Sequence, residues 1–295
     1  MKHLISATLC AICCTISCTS FTGCGNDVNE GRQMAEYITI DANVGTLTRT
    51  TSTAFENADA ISVYAWTGTN DVVGTLVVNN SINTYDGTKW SAAPQMLWAD
   101  ATTPHFFIGV YPQNATAITD FTSHEFVLNT ADQKASDLLI ANMLGDGQKA
   151  SEHNGVVAMM FDHVMAKLAV NLTFRNQWSG TPAVESVIVP AKSVATVNYL
   201  TKTVTAKGDN LNVNIPATTA NTAYQSIFIP QGIQQIIITI DGKAYTYTHS
   251  GNIVLEKGKI QTVNLIVGRD GIELGSISIN DWANGTPIEG GEAVE

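Results

Sequence analysis

A nucleophilic thiolate or a cysteine-held metal needs cysteines in the folded part of a chain. All five cysteines here lie in the first 24 residues: Cys10, Cys13, Cys14, Cys18 and Cys24. From Gly25 to Glu295 neither a disulfide nor a thiolate metal site can form. Cys10-Ala-Ile-Cys13 has C-x-x-C spacing but sits inside an apolar run. The histidines His105, His124, His153, His163 and His249 are scattered. His163 follows Asp162 in an apolar segment, which reads as a structural histidine with a hydrogen-bond partner. No serine or cysteine in a recognisable setting stands ready as its nucleophile. Gly145 and Gly147 in "LGDGQKAS" lack the rest of a phosphate-cradling motif and read as loop. The sequence has no P-loop, no HExxH, no G-x-S-x-G and no dinucleotide fingerprint. Its carboxylates are dispersed, neither paired for glycoside hydrolysis nor spaced as a calcium loop. The reading is a non-enzyme, with no catalytic residue, no metal and no cofactor.

The first two dozen residues do a different job. Met1 and Lys2 precede "LISATLCAICCTIS", the layout of a secretory leader. "FTGC", ending at Cys24, resembles a bacterial lipoprotein cleavage box, with Cys18 as the competing acceptor. Cys24 would then tie the chain to outer-membrane lipid through acyl chains, each buried methylene contributing about 0.8 kcal/mol. Loss of Lys2 with the leader leaves 14 Lys+Arg against 26 Asp+Glu, a formal charge of −12. That sign argues against a nucleic-acid partner, whose phosphates need a basic stripe, and against attraction to anionic lipid.

Aromatic side chains are the remaining binding chemistry. Of five tryptophans, Trp66, Trp90 and Trp98 are the candidates for a stacking platform under a sugar ring, since Trp90 and Trp98 flank turn-rich sequence. Core packing is the competing reading. Exposed, coplanar indoles would make the chain a surface glycan-binding lipoprotein.

The elements that would position any of these read as strands. "YITI" (Tyr37–Ile40) is short, and the polar "DANVGTLTRTTSTAF" after it reads as a connection. "AISVYAW" (Ala60–Trp66) alternates with the period of a half-buried strand. "PHFFIGVYP" (Pro104–Pro112) is apolar enough to be central in a sheet, and "HEFVLNT" is a further strand candidate. "VVAMMFDHVMAKLAVNLTF" (Val156–Phe174) reads as two strands with a break near Asp162–Ala166. Ile236, Ile238 and Ile240 alternate into Asp241-Gly242, and Tyr245 and Tyr247 alternate out of it, the strongest hairpin signal in the chain. Short strands at regular spacing predict an all-β chain of sandwich type. The length favours two such domains: a leader over 1–23, a tether over 24–36, and β-sandwiches over 37–165 and 166–295.

Taken in order, several segments resemble the fimbrillin-like lipoproteins of Bacteroides-type bacteria. They are the leader ending at Cys24, the Thr-Arg of "LTRTT", "F-x-N-x-D-x-I-x-V-Y" from Phe55 to Tyr64, and "DLLIA" from Asp137 to Ala141. Then come "F-x-H-x-x-A-K-L-x-V-N-L" from Phe161 to Leu172, "FIP" at Phe228–Pro230, and "SISINDW". The resemblance implies two tandem transthyretin-like β-sandwiches, outer-membrane lipid anchoring, and display at the cell surface or in a fimbrium. It implies partnership with other pilus subunits by strand addition, and with a host or bacterial surface ligand of unknown identity. It also implies an Arg/Lys-specific processing protease cutting in an early loop, where Arg49 is the matching residue. Residues up to Arg49, including Tyr37, Ile38, Thr39 and Ile40, would leave, and a neighbour's strand would replace them. The donor candidate is the C-terminal stretch with Ile272, Leu274, Ile277 and Ile279. An open sheet edge beside an apolar trough is a strong acceptor for such a strand.

Overall fold

The computed structural model describes residues 37–45 and 54–282, and strand dominates them. In the first half β1 spans Tyr37–Val44, β2 Ala60–Thr67, β3 Leu76–Tyr85, β4 Trp90–Ala93, β5 Met96–Leu97 and β6 His105–Tyr111. After β7 (His124–Val127) and a one-turn helix α1 (Gln133–Ser136) come β8 (Leu139–Gln148), α2 (Ala150–His153) and β9 (Val156–His163). All of these strands except β7 form one sheet in the order β4-β3-β2-β6-β8-β9-β1-β5. The sheet curls until its ends meet, with β1 packing near β4 and β3 near β5, so it is nearly a closed barrel. Its inner faces bury Ile38, Ile61, Val63, Phe107, Met159 and Phe161.

The second half holds β10 (Ala166–Phe174), β11 (Val184–Asn198), β12 (Thr203–Asn214), β13 (Ala217–Thr219) and β14 (Ala223–Phe228). These are followed by β15 (Gln231–Ile240), β16 (Lys243–Leu255), β17 (Lys259–Val267) and β18 (Ile272–Asp281). One sheet runs β13-β14-β10-β17-β18 and the other β12-β11-β15-β16. Side chains of both, among them Leu168, Val170, Val189, Ile236, Ile238 and Val263, make a common core. The expected hairpin is present: Ile240 pairs with Lys243, across Asp241 at φ 51° and Gly242 at φ 69°. Positive φ at both central residues is what a two-residue type I′ turn requires.

A third cluster joins the halves. Tyr64, Trp66 and Ile108, from the outer face of the curled sheet, pack with Tyr199, Ile229 and Trp282. β7 crosses as well, pairing His124–Val127 with Val197–Val194 of β11. Between β9 and β10 the chain passes through Val164 and Met165, both fully buried. The passage from one half to the other is therefore core, which is why no Pro/Gly linker marks it in the sequence.

One buried histidine gives this fold a pH dependence. His105 on β6 accepts a hydrogen bond at Nε2 from the Ala99 N–H (3.0 Å), and its Nδ1 lies 2.8 Å from the Thr103 carbonyl. A carbonyl only accepts, so Nδ1 carries the proton and the ring is neutral. Burial pulls its pKa below the ordinary histidine value, outweighing the Thr103 carbonyl and Asp100, which pull it up. His124 is lowered by burial too. Both are protonated more readily in the unfolded chain, so their contribution to stability is intact above the unfolded value of about 6.5 and is lost as pH falls through it. The thermal midpoint should drop between about pH 7 and pH 5. A midpoint flat across that window would show that the rings keep their unfolded affinity for protons.

Candidate functional site: the seat of the first strand

β1 alternates without a break: Ile38, Ile40, Ala42 and Val44 are buried, and Tyr37, Thr39, Asp41 and Asn43 are exposed. Strand geometry sends successive side chains to opposite faces, so every second residue enters the core of the curled sheet. The strand is twice the length that "YITI" suggested. The polar residues Asp41 and Asn43, read in the sequence as connection, are its solvent face.

The pairing of β1 is asymmetric. On one side Thr39–Val44 runs parallel to Val156–Phe161 of β9, with the Thr39 N–H donating to the Gly155 carbonyl (2.7 Å) and the Gly45 N–H to Phe161 (2.8 Å). On the other side only Tyr37 and Ile38 pair, with Leu97 and Met96 of β5. β9 in turn pairs with β8 only at its end, Leu139 with His163 and Ile140 with Asp162. A parallel neighbour cannot be a hairpin partner. The strands that follow β1 are joined to it covalently through residues 46–53. Cutting that stretch would leave noncovalent contacts alone to hold it, and its departure would bare the ladder groups of Val156–Phe161 beside an apolar trough.

The walls of that trough are tightly fitted. A methyl group on Gly109 of β6 would stand 2.5 Å from Phe161 Cζ and 3.0 Å from Met159 Cε, so glycine there leaves room for the ends of these two β9 side chains. Phe55, first aromatic after the 46–53 stretch, meets Trp90, Tyr111 and Phe161 edge-on at 4.9, 5.6 and 5.4 Å. It closes the end of the seat from the side that stays with the body.

β18 is the last described strand and an edge of its sheet. Ile272, Leu274, Ile277 and Ile279 stand opposite Val267, Leu265, Val263 and Gln261 of β17. The ladder skips Gly275, a bulge that keeps all four side chains on the core-facing side of the sheet. Yet Leu274, Ile277 and Ile279 are exposed. The strand is pinned at its end. Trp282 is buried, stacks on His163 at 4.4 Å and lies under Lys167 Nζ at 4.5 Å, while its backbone N–H donates to the Gly258 carbonyl (2.9 Å).

The indoles correct the glycan-platform expectation. Trp66 is inaccessible, and Trp90 and Trp98 are 8% and 6% exposed. Trp66 Nε1 donates to the Thr69 carbonyl (2.8 Å). Trp90 packs on Phe55 and Tyr85, and Trp98 on His105 and Phe107. The turns flanking them fold over the curled sheet, so none offers a free face to a sugar. His163 does have a carboxylate partner, but it is Asp137 (Nδ1 to Oδ1, 2.8 Å). Asp162, its sequence neighbour, points to the opposite face and pairs with Lys202. Among the described residues no cluster of His, Cys, Asp and Glu is placed to hold a metal. Cys24 and Arg49 lie outside the described residues. Ala42, Val44, Val157, Met159 and Phe161 are members of the seat that sequence reasoning did not single out; the alternation Val157, Met159, Phe161 was the available signal.

The model of the fimbrillin-like family matches residues 48–282, well over half of the chain. No curated protein matches it by sequence. Among solved structures, a protein from Bacteroides uniformis described as a candidate cell adhesion protein is similar at 20% identity and TM-score 0.64, covering 83% of this chain and 98% of its own. One from Bacteroides ovatus, described in the same words, is 17% identical at TM-score 0.67, covering 85% and 99%. A fimbrial protein from Bacteroides vulgatus is 17% identical at TM-score 0.53, covering 84% and 99%. At such identities the likeness is one of fold.

Proposed function

We propose that this chain, which belongs to the fimbrillin-like family, is a surface-displayed fimbrial subunit or adhesin that assembles by exchanging β1 for a strand of a neighbouring subunit. The observation that carries the reading is the seat of β1. Four alternating side chains fill the core, one ladder runs along six residues, the other along two, and the covalent link to the strands that follow runs through 46–53. Such a strand can be replaced by any extended segment with the same alternation, because main-chain bonds supply affinity and every second side chain sets register.

In this reading Arg49 is the cut site of an Arg/Lys-specific protease, and Cys24 holds the precursor to outer-membrane lipid until the cut releases it. The bodies over 37–165 and 166–295 are read as transthyretin-like domains in tandem. β18 is the donor candidate: it is held by one ladder, and burying Leu274, Ile277 and Ile279 in a neighbour's trough would cover apolar surface now in water. The Trp282 anchor opposes that release. The glycan-binding alternative loses its basis with the buried indoles.

Digestion of the soluble Gly25–Glu295 form with an Arg-specific protease tests this, with N-terminal sequencing and sizing of the product. The expected result is a new start at Thr50 followed by a ladder of oligomers. A cut at Arg49 that leaves a stable monomer would refute the cut as a sufficient trigger.

A further inference from the structure

The first described strand and the last share a pattern. β1 opens with Tyr37-Ile38-Thr39-Ile40-Asp41, and β18 ends with Ser276-Ile277-Ser278-Ile279-Asn280 before Asp281. In both, two isoleucines two places apart enclose a hydroxyl residue, and an Asp or Asn follows. Their surroundings differ. Ile38 and Ile40 are sealed in the curled sheet, at 0% and 5% exposure. Ile277 and Ile279 stand on an edge strand, at 38% and 42%. The chain thus holds in water a second copy of the two isoleucines that fill its own seat.

The residue between the isoleucines matches as well. Thr39 donates twice to the Gly155 carbonyl, from its N–H (2.7 Å) and from its hydroxyl (3.0 Å). A serine keeps both donors. With Ser278 at that place, Ser276 and Ile277 stand against Leu97 and Met96, the β5 residues that pair with Tyr37 and Ile38. A strand in this register therefore meets both ladders of β1.

We propose that the partner in exchange is a second copy of this chain, whose β18 runs parallel to β9 with Ile277, Ser278 and Ile279 in the places of Ile38, Thr39 and Ile40. The proposal rests on the exchange reading above and makes the chain its own donor. The incoming strand lands on an interface already shaped for the same side chains, and it buries two isoleucines that are now exposed. Ile272 and Leu274 are the rival pair for the two inward places. Ile272 is already packed against the core of its own half, so moving it covers less new apolar surface. The register also has a limit. Asp281 falls at the inward place of Ala42, where a carboxylate loses water without gaining a partner. The match therefore ends at Asn280, and the Ile38–Ile40 half of the seat carries the affinity.

The test uses the processed chain, alone and with peptides. Peptide YITIDANV, the sequence of β1, reports whether the seat opens, whoever fills it. Peptide GSISINDW, residues 275–282, is expected to compete with it for the seat. Serine in place of both isoleucines of that peptide should weaken it at least thirty-fold. Asp281→Ala in the peptide should tighten it about ten-fold; an unchanged affinity would overturn the register, because Asp281 lies beyond the seat when Ile272 and Leu274 fill it. In the full chain, Ile277→Ser with Ile279→Ser alters only exposed side chains. Once processed, this variant should form no ladder with itself, while its seat still binds GSISINDW, which shows that the body is folded. A purified, processed wild-type chain that binds YITIDANV yet stays monomeric would overturn a second copy as the partner and leave exchange standing. So would a double-serine variant that polymerises like the wild type. A seat that binds neither peptide would overturn exchange and this proposal together.

Discussion

Tyr37→Cys combined with Leu97→Cys should keep the processed chain monomeric until it is reduced. The two residues are direct partners in the antiparallel pairing of β1 with β5, and both are exposed, at 52% and 44%. Directly opposed residues of antiparallel strands have Cα atoms about 4.5–5.5 Å apart, within the span of about 4.4–6.8 Å that a disulfide bridges. The side chains lie on the solvent face, so the bond changes nothing in the trough. Under oxidising conditions the protease cuts but the fragment stays, and no neighbour's strand can enter. Added reductant then releases β1, and the oligomer ladder appears. The contrast is all or none, because a covalently held strand has no off-rate on the time scale of assembly. Equal ladders with and without reductant would mean that β1 never has to leave, and the exchange reading would fall.

Much of the architecture was legible because a strand's period is short. Ile236, Ile238 and Ile240 with Asp241-Gly242 define a hairpin from adjacent residues alone, and the fold contains it. Val156–Phe174 reads as two strands about a break for the same reason, and β9 and β10 meet at Val164–Met165. What was lost depends on neighbours distant in sequence. β1 was cut short at Ile40 because Ala42 is only weakly apolar, and Asp41 and Asn43 look like loop; its parallel partner β9 is over a hundred residues away. The indoles Trp90 and Trp98 sit beside turns, but whether a turn opens to water or folds over a curled sheet is decided by the closure of that sheet. His163 reads in the sequence as a structural histidine with a hydrogen-bond partner, but the sequence does not name that partner: alternation turns its neighbour Asp162 to the opposite face, and the partner, Asp137, lies 26 residues back. The seat of β1 itself follows from its lying next to β9, a long-range parallel pairing that no local pattern encodes.

The separability of β1 can be measured without any protease. Ile38 and Ile40 are its two largest inward side chains, at 0% and 5% exposure. Replacing either by alanine removes buried methyl and methylene groups that the rigid walls around Phe161 and Gly109 cannot close over, a loss of about 2–5 kcal/mol each. If β1 opens as its own unit, that loss falls on the local opening. Even the lower figure raises the open population by roughly thirty-fold. Hydrogen exchange should then quicken by at least that factor at the amides of Val157, Met159 and Phe161, the β9 amides that the parallel register turns toward β1. The amides of Ile236 and Ile238, deep in the other core, should keep their rates. The same two variants should admit the YITIDANV peptide while the chain is still uncut, since a seat that opens more often is available more often. Uniform acceleration at both places would instead show that β1 unfolds only with the whole molecule. Proteolysis at Arg49 would then have to do more than sever a link, because the strand it frees would still be held by the global stability of the fold.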